Sequence, residues 1–290
     1  MPESSQRAVS ASSASVPTGA ALTGAPLTGA ARTPYLMADL PENNLPVLFC
    51  FPHAGGAASA FRPLADLLSG RVNVVPVQLP GRERRRQDPL PADMAALVED
   101  IDRHLDPHLD IPHAFYGHSM GGLIAYDLAE RRHARGARTP LRLLVGACRA
   151  PHLPPAFASA RLLSDRELQD RMIATGGMSQ QLLSYPDWVA SALEQTRGDL
   201  HLVASRRHQL LAPAAYPIDA FAGLGDSLVS TSDVMAWHQH AGAGFDLHGL
   251  DGGHFFQLGE HAAAFAAKVE AVLAQDTALQ DTALKGGTPS

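Results

Sequence analysis

The stretch Ala114-Phe115-Tyr116-Gly117-His118-Ser119-Met120-Gly121-Gly122-Leu123-Ile124 decides the reading of this chain. Ala114-Phe115-Tyr116 is an apolar run that leads into Gly117, and Ile124 to Arg132 reads as a helix. Between them, Gly117-His118-Ser119-Met120-Gly121 fits the spacing G-x-S-x-G. That spacing sets a serine on a sharp turn between a strand and a helix, in a strained backbone conformation. Side chains two residues before and after it would collide, so both positions take small residues. The following helix points its N-terminus at the site, where the Met120 N–H can meet a developing oxyanion. Ser119 is expected to be a nucleophile; the bland alternative is a glycine-rich structural turn. His118 is not expected to be its base, because an adjacent residue on such a turn points elsewhere. It is read as a structural or substrate-lining group.

Outward from this stretch, strands and helices alternate. Pro46 to Phe51 is an apolar run ending at Pro52, as a buried strand would, and Ala57 to Leu68 has helical spacing. Val72 to Val77 is the next strand, and Asp93 to Leu105 is an amphipathic helix with Met94, Leu97, Val98 and Ile101 about a turn apart. Leu141 to Cys148 is the most apolar strand. The rhythm stops at Pro151, and helical pieces broken by Pro and Gly run to about Pro213, such as Ser164 to Ala174 and Trp188 to Leu202. It resumes with a strand at Tyr216 to Phe221, a helix near Ser232 to His240, a strand near Phe245 to His248 and a helix from His261 to Leu273. The pattern predicts an α/β fold: a mostly parallel central sheet with helices on both faces. The segment 151–213 is expected to be a helical lid inserted beside the active site.

The order of these elements resembles the α/β-hydrolase fold, in which the acid and then the base follow the serine, each at the end of a strand. The chain has 14 histidines, so the choice matters. Gly252-Gly253-His254-Phe255-Phe256 follows the last strand and precedes the last helix, where a general base belongs. His238, His240, His248 and His261 read as surface or helix residues, and no histidine pair has metal-ligand spacing in a suitable context. Asp226 lies just after the strand ending at Phe221 and is expected to orient His254 and stabilise its charged form. Asp251 would have an awkward reach within one loop, and Asp199 sits in the insert. Gly225-Asp226-Ser227-Leu228 also looks like a phosphopantetheine attachment site, but Ser227 would then have to open a helix in another fold. The second oxyanion donor is placed in Phe51-Pro52-His53-Ala54-Gly55-Gly56, as the Ala54 N–H. His53 is read as a residue of the entrance or a structural one.

Composition sets the outer bounds. At 290 residues, 46% hydrophobic and 18% charged, the chain is ordinary globular material. Its formal net charge of -6 argues against nucleic acid as the main partner. Residues 1–44 are mostly Ala, Ser, Thr, Gly and Pro and are expected to be a disordered extension; residues 276–290 are expected to be a tail. The N-terminus lacks the apolar stretch of a secretory signal, and no run reaches the length of a membrane span. Cys50 and Cys148 sit in apolar runs and read as core, which suits a reducing, cytoplasmic setting.

The core from Val47 to Leu273 resembles the stand-alone type II thioesterases of polyketide and nonribosomal peptide synthesis. The matching stretches are Phe51-Pro52-His53-Ala54-Gly55-Gly56, Gln78-Leu79-Pro80-Gly81-Arg82-Glu83, Gly117-His118-Ser119-Met120-Gly121-Gly122, Arg149-Ala150-Pro151 and Gly252-Gly253-His254-Phe255-Phe256, with Trp237 a further match. Pro80-Gly81-Arg82-Glu83 discriminates most, since a generic esterase has no reason to carry it. The resemblance implies an editing enzyme that hydrolyses acyl groups from the phosphopantetheine arm of an acyl or peptidyl carrier protein, with no cofactor or metal and as a monomer. Arg82 and the arginines that follow it could meet an acidic carrier or the phosphate of the arm; a solvated loop or a structural ion pair for Arg82 are the alternatives. Arg197-Gly198-Asp199 keeps part of a family element, but no tyrosine follows it within Leu200 to Arg207. The rival functions are a carboxylesterase or lipase on oxygen esters, an acyltransferase, and a non-catalytic interaction protein.

Overall fold

The structure, a computed structural model, describes residues 32–155, 158–207 and 212–285. Six strands form one sheet: β1 (Val47–Phe51), β2 (Asn73–Pro76), β3 (Ala114–His118), β4 (Leu143–Gly146), β5 (Ile218–Gly223) and β6 (Phe245–Leu250), in the order β2-β1-β3-β4-β5-β6. Every pairing is parallel. A parallel sheet needs a crossover after each strand, and these crossovers bury both faces. That is why β1, β3, β4 and β5 are buried at every position and read as continuous apolar runs rather than alternating ones.

One face packs on α2 (Met94–Leu105) and α3 (Met120–Ala134), with Leu97, Ile101, Ile124 and Leu128 fully buried. The other packs on α1 (Arg62–Leu67) and α7 (Ala262–Lys285), through Leu64, Leu68, Phe265 and Val269. Local signals set the helix ends. Asp93 caps α2 by accepting from the Ala96 N–H at 2.8 Å. Ser164 and Glu167 form a reciprocal capping box at the start of α4 (Asp165–Ala174). Pro186 opens α5 (Pro186–Ser205), where its missing N–H costs nothing. α4 and α5 both lie between β4 and β5, within the segment read as an insert. A short helix, α6 (Thr231–Met235), follows β5.

Two sequence expectations change. The extension expected over 1–44 is ordered from residue 32. Tyr35 is fully buried, its hydroxyl donates to Asp100 at 2.5 Å, and its carbonyl accepts from the Gln78 N–H at 2.8 Å. Tyr35 and Leu40 supply the apolar anchors that the Ala-, Ser- and Gly-rich part lacks; residues 1–31 lie outside the described residues. The tail expected from 276 is helical to Lys285, because the repeated Ala-, Leu- and Gln-containing run has no breaker before Gly286.

Candidate active site

The site lies at the carboxyl ends of the strands, the usual place in open parallel sheets. Ser119 sits between β3 and α3 with φ 53° and ψ −116°, a conformation that a non-glycine residue adopts only under constraint. Its N–H donates to the Gly146 carbonyl at 2.8 Å, and its carbonyl accepts from the Gly122 N–H at 2.9 Å. The glycines are there for contact. A Cβ on Gly117 would fall 2.1 Å from the Gly121 carbonyl oxygen, and one on Gly121 would fall 2.0 Å from the Phe51 carbonyl oxygen. The spacing thus lets β1, β3 and α3 converge under the serine.

Asp226 and His254 come from the loops after β5 and β6. These loops are bonded to each other, Leu224 N–H to the Leu250 carbonyl and Gly225 N–H to the Gly252 carbonyl, both at 2.8 Å. His254 Nδ1–H donates to Asp226 Oδ2 at 2.8 Å, with the Asp226 side chain fully buried. The other carboxylate oxygen accepts from the Leu228 N–H at 2.7 Å and the Val229 N–H at 3.1 Å. A carboxylate held by three donors stays where it is and keeps the proton of His254 on Nδ1, leaving Nε2 as the basic nitrogen. The structure brings His254 to Asp226; it contains no hydrogen bond between the Ser119 hydroxyl and His254. His254 is bonded instead to His118, the residue before the serine.

His118, the last residue of β3, is fully buried. Its Nε2–H donates to the His254 carbonyl at 2.8 Å, and Nδ1 accepts from the Tyr116 hydroxyl at 2.9 Å. A carbonyl only accepts, which fixes the tautomer. Burial holds this imidazole well below its ordinary range, and His254 and His53 push it the same way. Both nitrogens are therefore occupied in a neutral ring, and the substrate-contacting role raised for His118 is corrected to that of a strut. His53 is half-buried, edge-on to Phe255 at 4.8 Å between centroids. Burial, then His254 and Arg82, push its value down to about 3, so it adds no charge to the entrance.

For Arg82 the structure corrects the carrier- or phosphate-binding reading and matches the structural ion-pair alternative. Arg82 is buried, and its guanidinium donates to both oxygens of Asp199, at 2.9 and 2.6 Å, to the Gly56 carbonyl at 2.8 Å and to the Pro80 carbonyl at 3.1 Å. A fork with its hydrogen bonds filled is not free for a carrier protein or a phosphate. Within the arginine run, Arg85 pairs with Asp88 and lies over the Tyr35 ring, while Arg84 and Arg86 are exposed.

Ser119, Ala54 and Met120 line one cavity of about 60 Å³, closed mainly by Leu123, Leu153, Leu200, Val203 and Val229. Leu200 and Val203 belong to α5. Among the described residues, neither the Ala54 N–H nor the Met120 N–H is bonded to a protein acceptor. Cys148 lines the same cavity, but burial pushes its thiol up to about 12, which removes it as a rival nucleophile. Trp237, fully buried, donates its indole N–H to the Cys148 carbonyl at 2.8 Å and braces this wall. Among the described residues, no group of three or more His, Cys, Asp or Glu side chains is placed to hold a metal ion, and no helix is long and apolar enough to cross a membrane. Sequence reasoning missed Gln195, whose amide donates to the Gly55 carbonyl at 2.8 Å, and weighed Asp199 as a rival acid and as part of a family element without assigning it a partner. The signal for Asp199 was present in Arg197-Gly198-Asp199.

A family model described as a thioesterase domain matches residues 46–273, which include all six strands and the insert. The gramicidin S biosynthesis protein GrsT of Aneurinibacillus migulanus is 32% identical over 209 residues, covering 72% of this chain and 82% of the relative. RedJ, described as a thioesterase from the prodiginine biosynthetic pathway in Streptomyces coelicolor, superposes with a TM-score of 0.73 at 33% identity, over 79% of this chain and 86% of that one. BorB, described as the type II thioesterase from the borrelidin biosynthetic cluster, superposes with a TM-score of 0.74 at 32% identity, over 82% and 97% of the two chains. The chain belongs to the thioesterase family.

Proposed function

We propose that this chain is a type II editing thioesterase. It hydrolyses acyl thioesters from phosphopantetheinyl carrier proteins of a polyketide synthase or nonribosomal peptide synthetase, with Ser119, Asp226 and His254 as its triad. The observation that carries this reading is a strained serine lining an apolar cavity, whose neighbour His118 is bonded to a histidine clamped by a buried carboxylate, in a chain of the thioesterase family. The relatives named as thioesterases of prodiginine and borrelidin biosynthesis support the carrier-bound substrate.

In the reaction, His254 Nε2 takes the hydroxyl proton as Ser119 Oγ attacks the thioester carbonyl. The carbonyl oxygen becomes an oxyanion, met by the N–H groups of Ala54 and Met120, the latter at the positive end of α3. The C–S bond breaks and the thiol leaves with the proton from His254. Water, giving a proton to His254 in turn, then cleaves the acyl-serine and frees the acid. Asp226 stabilises the imidazolium in both steps. A thioester suits this site, because its carbonyl has little resonance stabilisation and its thiol leaves readily. Arg84 and Arg86 are the cations of the Arg82–Arg86 run left to meet an acidic carrier surface.

The test is release of acyl groups, from acetyl to decanoyl, from loaded carrier proteins. The wild type releases them and Ser119→Ala does not. A cavity of about 60 Å³ favours the shortest chains. Brisk turnover of simple oxygen esters with no release from any carrier would overturn the proposal in favour of an esterase.

A further inference from the structure

The turn that carries the Ala54 N–H is held largely by one helix of the insert, with Arg82 as a second support. His53, Ala54, Gly55 and Gly56 close on a hydrogen bond from the Gly56 N–H to the His53 carbonyl at 2.9 Å, with Gly55 at φ +76°. A positive φ at the third position is the mark of a type II turn. In a trans peptide the C=O and N–H point in opposite directions, so the bond that anchors the His53 carbonyl also aims the Ala54 N–H. Ala54 lines the cavity beside Ser119.

What holds the two glycines comes from α5 and its partner. The Gly55 N–H donates to Asp199 Oδ2 at 2.7 Å, and the Gly55 carbonyl accepts from the Gln195 amide at 2.8 Å. The Gly56 carbonyl accepts from Arg82 at 2.8 Å and from Gln195 at 3.4 Å. Thr196 presses on the same spot: a Cβ on Gly55 would lie 2.3 Å from its hydroxyl oxygen. The same helix contributes Leu200 and Val203 to the cavity wall.

We infer that Gln195 and Asp199 are positioning residues that set the oxyanion-binding turn from α5, so that the helix walling the acyl cavity also aims the Ala54 N–H. This rests on the proposed reading of the Ala54 N–H as an oxyanion donor. An acyl chain that displaces α5 then loosens the turn and slows the chemistry, not only the binding.

The test uses Gln195→Met, similar in shape but without a donor, and Gln195→Lys, which restores one. The readouts are kcat and KM on an acyl carrier protein, the thermal midpoint, and the inhibition constant of a trifluoromethyl ketone analogue of acyl-pantetheine. The Ser119 oxygen adds to that ketone carbon, its proton passes to His254, and the carbonyl oxygen becomes an oxyanion in the turn. Gln195→Met is expected to lower kcat about tenfold, since small misplacements of catalytic groups have effects of this size or larger. It should raise the inhibition constant by the same factor, with KM and midpoint little changed, and Gln195→Lys should recover most of the loss. Unchanged kcat and inhibition constant in Gln195→Met overturn the inference, as does a rise in KM with kcat intact. Replacing Ala54 by lactic acid, which puts an oxygen where the N–H was, separates the two claims. If that leaves inhibition unchanged, the donor assignment fails and the inference with it. If it weakens inhibition while Gln195→Met does not, the inference alone fails.

Discussion

At Asp226 one oxygen accepts from His254 and the other from two backbone N–H groups, so the side chain has no freedom to serve another partner. Asp226→Asn keeps the shape but offers His254 an amide that favours the wrong tautomer. Its kcat is expected to fall roughly 10³- to 10⁴-fold with KM little altered, as steady-state kinetics would show. His118→Leu leaves the His254 carbonyl without its donor in a buried place. It should cost about 1–3 kcal/mol in denaturant unfolding, and a loss below measurement would mean that the strut carries no stability. Ser119, Asp226 and His254 could be proposed as a triad from sequence because each sits in a short local pattern at a strand end. The choice between structural and binding roles for His118 and Arg82 could not be made there. It depends on burial and on partners far along the chain, Arg82 meeting Asp199 across 117 positions. A motif names the residue, and only the packed fold shows whether its polar atoms are already occupied.

Between elements, the closest approach is the crossing of β1, β3 and α3, where two glycines leave no room for a methyl group. The atoms around both glycines are backbone, so nothing can rotate away. Gly117→Ala is expected to prevent accumulation of folded protein, or to lower its melting temperature sharply; a variant that melts like wild type would show that the crossing can open. The order of strands and helices was readable from alternating apolar runs and helical spacing, but the ends were less so. α3 begins at Met120, four residues before the apolar spacing started, because Gly121 and Gly122 carry no periodic signal and are buried by contact with backbone. The segment from residue 32 to 44 was hidden for a related reason. Its few anchors, Tyr35 and Leu40, stand in a low-complexity background, and their burial depends on α2 and the loop after β2.

For the molecule as a whole, buried neutral histidines set the response to acid. Burial lowers His113 and His240 to about 4 each, with His152 and Arg206 adding to the effect at His240. An imidazole held below its unfolded value is protonated first in the unfolded chain. Stability is therefore unaffected by these groups above the ordinary value of 6.5 and falls as pH drops from there towards 4. Each adds a slope of about 1.4 kcal/mol per pH unit in that window. Thermal midpoints should be level above neutrality and decline steadily below it; a midpoint constant down to pH 4 would contradict this. In the proposed reaction the acyl group passes through Ser119. This is tested most directly by mixing the protein with acyl-loaded carrier protein, quenching early and mapping the adduct by peptide mass spectrometry. A transient acyl mass is expected on the peptide containing Ser119, and neither adduct nor release in Ser119→Ala. Release that persists in Ser119→Ala, with no adduct at any time in the wild type, would contradict it.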